Sequence, residues 1–386
     1  MNKKKILLSV AVASTIAITG AFLLANGGLN SSSVFAANGA VWHHYPAVAP
    51  TETEHGSKEF WASSVDGCAT HTFDDPGVTC VDHDFSTYDS FATLTCDDDR
   101  YVPSGNESLG ITPMFSTKNK TVTCGLYPQK NVNDSSLVSA LNALTTPESN
   151  GWYLYDGEYY AKVVAKPYDS SSYKFDNGTT IVRGTTYWFK CEPITWNVLS
   201  NKSGEYYILS SLLLDAHRYY DSTSSRTIGG KTVYANNYEY SDIHTWLNSD
   251  FFDSAFALGN SHIQTTTVNN RASTTNSDYN SYACANTEDK VFLPSYRDYI
   301  NSSYGFSDST SSTNTRYCRT TDWARARRAW YSTSSSYLYN GYYWTRSPRS
   351  DHTYSAWCVN HDGYVDETKR YVDTMFVSVR PAIKIA

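Results

Sequence analysis

Short strand-like runs separated by turn residues fill the second half of the chain, and they limit the folds that it can adopt. Two such runs flank Asp156-Gly157, a dipeptide typical of β-hairpin turns. A second pair flanks residues 201–204, and residues 377–386 form a short strand-like run at the end of the chain. The strands do not alternate with helices at the spacing of β-α-β units. We therefore predict an α+β fold: a mostly antiparallel sheet with a few short helices and long loops.

Helical spacing of apolar residues is confined to a few segments. Residues 136–144 carry it behind an N-cap at Asp134 or Ser135. Residues 242–258 follow Ser241, a second N-cap candidate, and Gly259 can end that helix. A strand that leads into a short helical turn is predicted at KVFLPSYRDY, residues 290–299.

The first 36 residues have the pattern of an export signal. Lys3, Lys4 and Lys5 precede an uncharged apolar run over residues 6–25, and Val34-Phe35-Ala36 places small residues at a signal-peptidase site. An uncleaved anchor is the alternative, because about 20 apolar residues can span a bilayer. We expect an extracellular protein, secreted or at the cell surface. It would touch the membrane only through this segment if the segment is uncleaved.

The charge balance argues against a nucleic-acid partner. Lys and Arg number 31 against 38 Asp and Glu, for a net charge of −7. Proteins that bind nucleic acids neutralise phosphates with surplus Lys and Arg, and this chain has none.

Composition divides the remainder into three parts. Residues 37–103 form a small, irregular module rich in Cys and His, and residues 104–120 read as a linker of Ser, Gly, Asn and Pro. The pattern of strand-like and helical segments over residues 121–386 predicts a compact α+β domain.

Eight cysteines in an exported chain suggest disulfides. Cys284 with Cys318, and Cys191 with Cys358, are candidate pairs within the second half of the chain. Other pairings remain open.

One cysteine pattern also fits a metal. Cys68-x2-His71 and Cys80-x2-His83 supply four ligands that tetrahedral zinc accepts. The alternative, which the extracellular setting favours, is a Cys68–Cys80 disulfide with both histidines exposed. We expect no required cofactor, with zinc over residues 68–83 as the one candidate. Acidic clusters at residues 74–75, 82–84 and 97–99 lack a calcium-loop spacing and fit solvated loops better.

Residues 122–386 resemble a secreted bacterial domain family of unknown function. The resemblance rests on six motifs in order: GLYPQ (125–129), YWFKCEPITWNVL (187–199), WLNSDFFDSAF (246–256), DKVFLPSY (289–296), YYWTRSP (342–348) and VSVRPAIKI (377–385). The ending also resembles the sulfatase-modifying-factor branch of the C-type-lectin-like fold, which implies long loops that display a binding surface. Residues 43–103 resemble a small module of similar exported proteins.

Catalytic motifs are missing from the sequence. It contains no nucleophile elbow, zinc-protease motif or phosphate-binding loop. Formylglycine-generating relatives use a cysteine pair, but Cys318 and Cys358 lack the local motif around that pair. We therefore do not expect an enzyme.

Residues 323–357 carry the densest display of aromatic and arginine side chains. Tyr and Trp stack on sugar rings or anchor protein contacts, and neighbouring Arg side chains suit carboxylates. Many of these rings could equally be core residues, since β-structure favours them. The candidate ligand-binding residues are Arg325, Arg327, Arg328, Trp330, Tyr331, Tyr337 and Tyr339.

These observations together favour a protein that binds an extracellular ligand, an acidic glycan or a protein, through the aromatic and Arg-rich loop surface. An enzyme of unknown reaction on a sulfatase-modifying-factor-like scaffold is one alternative. A structural spacer of the cell envelope is the other.

Overall fold

The computed structural model describes residues 109–111, 113–116, 120–275, 284–349 and 352–386, apart from the side chains of residues 272 and 366–369. It also gives the backbone of four two-residue strands nearer the N-terminus. The chain divides into two units, residues 1–108 with 112–121, and residues 109–111 with 122–386.

The first unit contains two short antiparallel pairs. Strand β1 (Val34–Phe35) pairs with β2 (Val41–Trp42), and β3 (His71–Thr72) pairs with β4 (Thr79–Cys80). Strand β5 (Met114–Ser116) also belongs to this unit.

The second unit holds two sheets. The larger sheet is formed by β6 (Thr121–Asn131), β7 (Tyr153–Tyr155), β8 (Glu158–Val164), β9 (Thr186–Lys202), β10 (Glu205–Ser210), β16 (Val291–Phe292) and β21 (Ala382–Ile385). Its strand order is β16-β21-β10-β9-β6, with β8 paired to β9 and β7 to β8.

The smaller sheet has the order β11-β20-β17-β18-β19. Its strands are β11 (Asp215–Ala216), β17 (Tyr343–Pro348), β18 (Ser355–Val359), β19 (Val365–Tyr371) and β20 (Ser378–Val379). Only the β17–β20 pair is parallel among the pairings within this sheet. Two separate hairpins join β12 (Arg226–Ile228) to β13 (Lys231–Val233), and β14 (Thr266–Val268) to β15 (Thr287–Asp289).

Both predicted hairpin turns are confirmed. Asp156 and Gly157 connect β7 to β8, and both have positive φ angles of 51° and 77°. Ser203 and Gly204 connect β9 to β10 with φ angles of 53° and 87°. Two successive residues of positive φ match the right-handed twist of the flanking strands, so each turn joins them directly.

The helices are few and short, as predicted. They are α1 (Ser135–Asn142), α2 (Asp242–Trp246), α3 (Phe252–Ala255), α4 (Tyr296–Tyr299) and α5 (Asp322–Ala326), and a π-helical turn over Leu247–Phe251 joins α2 to α3. Asp134 caps α1 and Ser241 caps α2, each through its side-chain oxygen. Strand β16 leads into α4, so the strand and helical turn predicted for residues 290–299 are also present.

The core of the second unit lies where side chains of both sheets meet. Leu209 of β10 belongs to the same buried cluster as Tyr343 of β17 and Trp357 of β18. Trp196 and Trp344 are also fully buried. The fold is thus α+β with mostly antiparallel sheets, as the strand pattern predicts.

Candidate functional site

The aromatic and Arg-rich run begins with helix α5, and its candidate residues lie in different environments, some in the core and others at the surface. Thr321 caps the helix by accepting a hydrogen bond from the backbone N–H of Ala324. The chain leaves the helix through Arg327 and Arg328. The remaining candidates follow in the loop that leads to β17.

Two of the candidate residues are buried, so the expectation of exposed contacts does not hold for them. Arg325 is 0% exposed, and its Nη2 lies 2.6 Å from Asp322 Oδ1 and 2.8 Å from Asp176 Oδ1. Tyr331 is 2% exposed; its hydroxyl accepts a hydrogen bond from the Lys174 N–H, and its ring packs 3.9 Å from that of Tyr173. The sequence could not separate these residues from their neighbours, because the partners Tyr173, Lys174 and Asp176 are distant from them in the chain.

Arg327 and Arg328 instead line a cleft of about 510 Å³, which we call the cationic cleft. One side comes from the end of β8, another from β11 and the residues after it, and the third from the C-terminal end of α5. The Lys166 N–H donates to the carbonyl of Ala326 at 2.7 Å, which ties the segment after β8 to α5. The lining residues are Val163, Val164, Lys166, Ala216, His217, Arg218, Ala326, Arg327, Arg328 and Met375.

A buried carboxylate fixes the orientation of Arg327. Asp215 is fully buried, and its Oδ1 accepts from Arg327 Nε at 2.8 Å. Its Oδ2 accepts from the hydroxyl of Tyr127 at 2.7 Å and from the indole N–H of Trp323 at 3.1 Å. The carboxylate of Asp215 raises the pKa of the Arg327 guanidinium, which is therefore a permanent cation on the wall of the cleft.

The other cations of the cleft are less constrained. Arg218 pairs with Asp242 at 3.0 Å and lies 3.8 Å from Asp221. Arg328 Nη1 lies 3.1 Å from the sulfur of Met375. Within the described part of the chain, neither Lys166 nor Arg328 is in an ion pair, and no Asp or Glu lines the cleft. The cleft is therefore positively charged although the whole chain is acidic.

His217 gives the cleft a hydrogen-bond acceptor. Its Nδ1 lies 2.7 Å from the carbonyl oxygen of Arg218, and its ring stacks on that of Trp246 at 4.9 Å. Burial lowers the pKa of His217, so the ring is neutral at pH 7 and its proton is on Nδ1, facing the carbonyl. Since no described residue bonds to Nε2, its lone pair remains for a ligand.

An aromatic surface, formed by Trp330, Tyr337, Tyr342 and His361, follows the cleft along the chain. Trp330 packs on Tyr342 with 4.3 Å between ring centroids. The His361 ring lies 5.3 Å from that of Trp330 and 5.2 Å from that of Tyr337. Beyond Tyr337, a hollow of about 320 Å³ is lined by Tyr337 and Tyr339, among others.

Backbone strain marks both ends of the segment between the cleft and this hollow. Arg328 has a φ of 91° and Tyr339 a φ of 69°, in the left-handed region that favours glycine. Two other residues with positive φ, Asp156 and Ser203, sit in the hairpin turns, where that conformation is common. Arg328 lies at the end of helix α5, and Tyr339 lies in a turn that the Asn340 N–H closes on the carbonyl of Tyr337 at 2.9 Å, so a local turn accounts for the angle of each residue.

The sequence missed two residues that line the cleft and the buried carboxylate that holds Arg327. Lys166, Asp215 and His217 lie more than 100 positions before Arg327, and none is part of a motif. Their sequence neighbours give no signal that would have grouped them, because only the folding of β8 and β11 next to α5 brings them together.

The predicted metal site lies outside what the structure describes. Cys68 and His83 are not described, and His71 and Cys80 are described only as backbone of β3 and β4. The acidic clusters at residues 74–75, 82–84 and 97–99 also lie outside the described ranges. Elsewhere in the described chain, no group of three or more His, Cys, Asp or Glu side chains could hold a metal ion.

The candidate disulfides are not formed. Cys124, Cys191, Cys284 and Cys318 are free thiols, so neither Cys191–Cys358 nor Cys284–Cys318 is a disulfide. Cys191 lies on β9 of the larger sheet and Cys358 on β18 of the smaller sheet, so the strand-like sequence around each cysteine does not place the two on neighbouring strands. Burial raises the pKa of Cys318 to about 11, so this thiol is protonated and unreactive at neutral pH.

Comparison with known proteins identifies a match to one domain family, and that family has no assigned activity. Residues 204–386 match the model of a domain of unknown function, DUF6273. This match begins in the turn before β10, covers the smaller sheet and α5, and includes Arg327 and Arg328. No curated protein and no solved structure matches the chain. No helix within the described ranges is long and apolar enough to cross a membrane.

Proposed function

We propose that the protein is exported and binds an extracellular acidic ligand, a glycan or a protein, in the cationic cleft and on the adjoining aromatic surface. We also propose that residues 121–386 form a C-type-lectin-like domain of the sulfatase-modifying-factor branch. In that fold, long loops carry the binding surface.

The observation that carries the proposal is the fixed guanidinium of Arg327. Holding Asp215 in a buried site is costly unless its charge is fully compensated, and three side-chain donors together with the N–H of Ala216 compensate it. The same arrangement keeps Arg327 in one orientation on the wall of a cleft that has no acidic lining residue. A preorganised cation loses less conformational entropy when an anion binds.

The aromatic surface supports a glycan as part of the ligand. The backbone N–H of Trp330 donates to the carbonyl of Phe376 at 2.9 Å. Met375, which precedes Phe376, contacts Arg328. The aromatic rings therefore begin directly beside the cleft. Tyr and Trp rings stack on sugar rings, while Arg side chains bind the carboxylates or sulfates of the same polymer.

A thiol-based reaction is less well supported than binding. It would need a reactive thiolate, whereas burial keeps Cys318 protonated. The spacer alternative would leave the unpaired cations of the cleft without a role.

The test is a screen of purified residues 37–386 against glycans and cell-wall polymers, with and without EDTA. We expect saturable binding to acidic members, lost in Arg328→Ala and weakened in Trp330→Ala. Arg271→Ala is the matched control, because Arg271 is exposed and does not line the cleft.

Two results would contradict the proposal. Loss of binding with EDTA alone would move the site to the predicted metal ligands Cys68, His71, Cys80 and His83. Binding that is equally strong in Arg328→Ala and in the unchanged protein would show that the cleft is not the site.

A further inference from the structure

We propose that the cationic cleft recognises the C-terminal residue of a peptide whose last side chain is aliphatic. This inference rests on the proposed function, since it names the ligand of the same cleft. Three features of the lining carry it: the free cations, the apolar wall and the unpaired nitrogen of His217.

The cations that line the cleft can bind the terminal carboxylate of the peptide. Arg327 is held by Asp215, while Lys166 and Arg328 have no described ion partner. A carboxylate placed among them would receive charge-assisted hydrogen bonds from at least two side chains.

The apolar wall accounts for the side chain. Val163, Val164, Ala216, Ala326 and Met375 line the cleft, and no Phe, Tyr or Trp is among its described lining residues, although sugar binding usually uses one. Val164 is 49% exposed and Met375 is 48% exposed. Both are therefore uncovered apolar surface that a ligand can bury.

An apolar rim extends this wall. Tyr168, at 45% exposure, packs edge-on against Phe376 at 5.0 Å. Phe376 follows Met375, so apolar surface continues from the cleft over its edge. Exposed apolar side chains that adjoin one another mark interaction sites more often than scattered ones do.

The Nε2 atom of His217 favours a peptide over a fatty acid as the ligand. Nδ1 is bonded to the carbonyl of Arg218, so the remaining Nε2 needs a donor. The amide N–H of a C-terminal residue lies directly beside its carboxylate and can supply that donor. A fatty acid has no donor at this place.

The experiment is a calorimetric titration of the full chain with N-acetyl-leucine and analogues that each lack one feature. N-acetylglycine lacks the side chain, N-acetyl-leucinamide lacks the carboxylate, and 4-methylpentanoate lacks the amide. About fourfold in affinity is expected for each buried methylene. With part of the leucine side chain left in water, we expect N-acetyl-leucine to bind about tenfold more tightly than N-acetylglycine.

Variants test the wall itself. Val164→Thr keeps the side-chain shape and should reduce the preference for leucine over glycine several-fold. Val182→Thr is the matched control, because Val182 is 52% exposed and does not line the cleft. It should leave the preference unchanged.

Each failure has a different meaning. Equal affinity for N-acetyl-leucine and N-acetylglycine would overturn the peptide inference but leave acid binding intact. Equal affinity for N-acetyl-leucine and 4-methylpentanoate would also overturn it, in favour of a fatty acid. If no carboxylate and no acidic polymer binds, the proposed function falls together with the inference.

Discussion

Replacing Arg328 by glycine should stabilise the protein while it weakens ligand binding. Helix α5 ends in a Schellman arrangement: the Ala329 N–H donates to the carbonyl of Ala324 at 2.9 Å, and the Arg328 N–H donates to that of Arg325 at 3.3 Å. The position that Arg328 occupies in this motif is usually glycine, because its φ is positive.

The magnitude follows from the backbone angle. A left-handed conformation costs an L-residue about 1–2 kcal/mol, and the φ of 91° lies beyond the usual left-handed minimum. Glycine removes this cost but adds about 0.4–1 kcal/mol of unfolded-state entropy. The net gain expected for Arg328→Gly is therefore about 0.5–1 kcal/mol, or about 1–4 °C in melting temperature.

Arg328→Ala is the control that separates strain from charge. It removes the same guanidinium but keeps a Cβ, and so keeps the strained angle. Urea denaturation should place the glycine variant about 1 kcal/mol above the alanine variant, while both bind acidic ligands more weakly than the unchanged protein. A glycine variant no more stable than the alanine variant would refute the argument from strain. Unchanged ligand affinity in both would refute the role of Arg328 in binding.

Three further predictions concern the fold. Asp215→Asn replaces one acceptor oxygen with an NH₂ group and removes the charge that compensates Arg327, so it should destabilise the protein by about 2–4 kcal/mol in urea denaturation. A loss below about 0.5 kcal/mol would contradict the central role of this carboxylate. A Cβ on Gly363, whose φ is 75°, would lie 2.0 Å from the carbonyl oxygen of Thr313, so Gly363→Ala should lower the free energy of unfolding by more than about 2 kcal/mol. Gly157 has open space around it, so Gly157→Ala should lower it by about 1 kcal/mol. Equal losses would contradict the steric explanation. Burial lowers the pKa of His262 to about 4, so the unfolded chain binds more protons than the folded one between pH 6.5 and 4. The free energy of unfolding should therefore fall as pH falls through that range. The expected loss is on the order of 1–2 kcal/mol, because His262 is only partly buried. His262→Gln should flatten this part of the pH profile, and an unchanged profile would assign the effect to other groups.

The sequence predicts elements whose cause is local. The Asp156-Gly157 turn and the caps at Asp134 and Ser241 depend on residues a few positions apart, and so do the antiparallel pairs that a hairpin joins, such as β7 with β8. Other antiparallel pairs, such as β10 with β21, join distant segments. The same local reasoning failed for the disulfides, because whether two cysteines meet depends on how segments that are far apart in the chain fold together.

The binding surface was only partly predictable for the same reason. Arg327 and Arg328 could be proposed from composition alone, as residues of a basic and aromatic run. Neither the burial of Arg325 nor the position of Lys166 could, since each depends on a segment far away in the chain, around Asp176 for Arg325 and around Ala326 for Lys166. The strain at Arg328 appears in no residue pattern, because arginine has no preference for the left-handed conformation that it adopts.

The most direct test of the cationic cleft is the affinity of the full chain for polygalacturonate, measured by calorimetry beside neutral dextran. Binding should be specific to the acidic polymer, should weaken as salt is raised, and should fall at least tenfold in an Arg327→Gln, Arg328→Gln double variant that melts cooperatively. Acidic-polymer binding that survives the double variant unchanged, or equal binding of dextran, would contradict a cationic cleft as the ligand site.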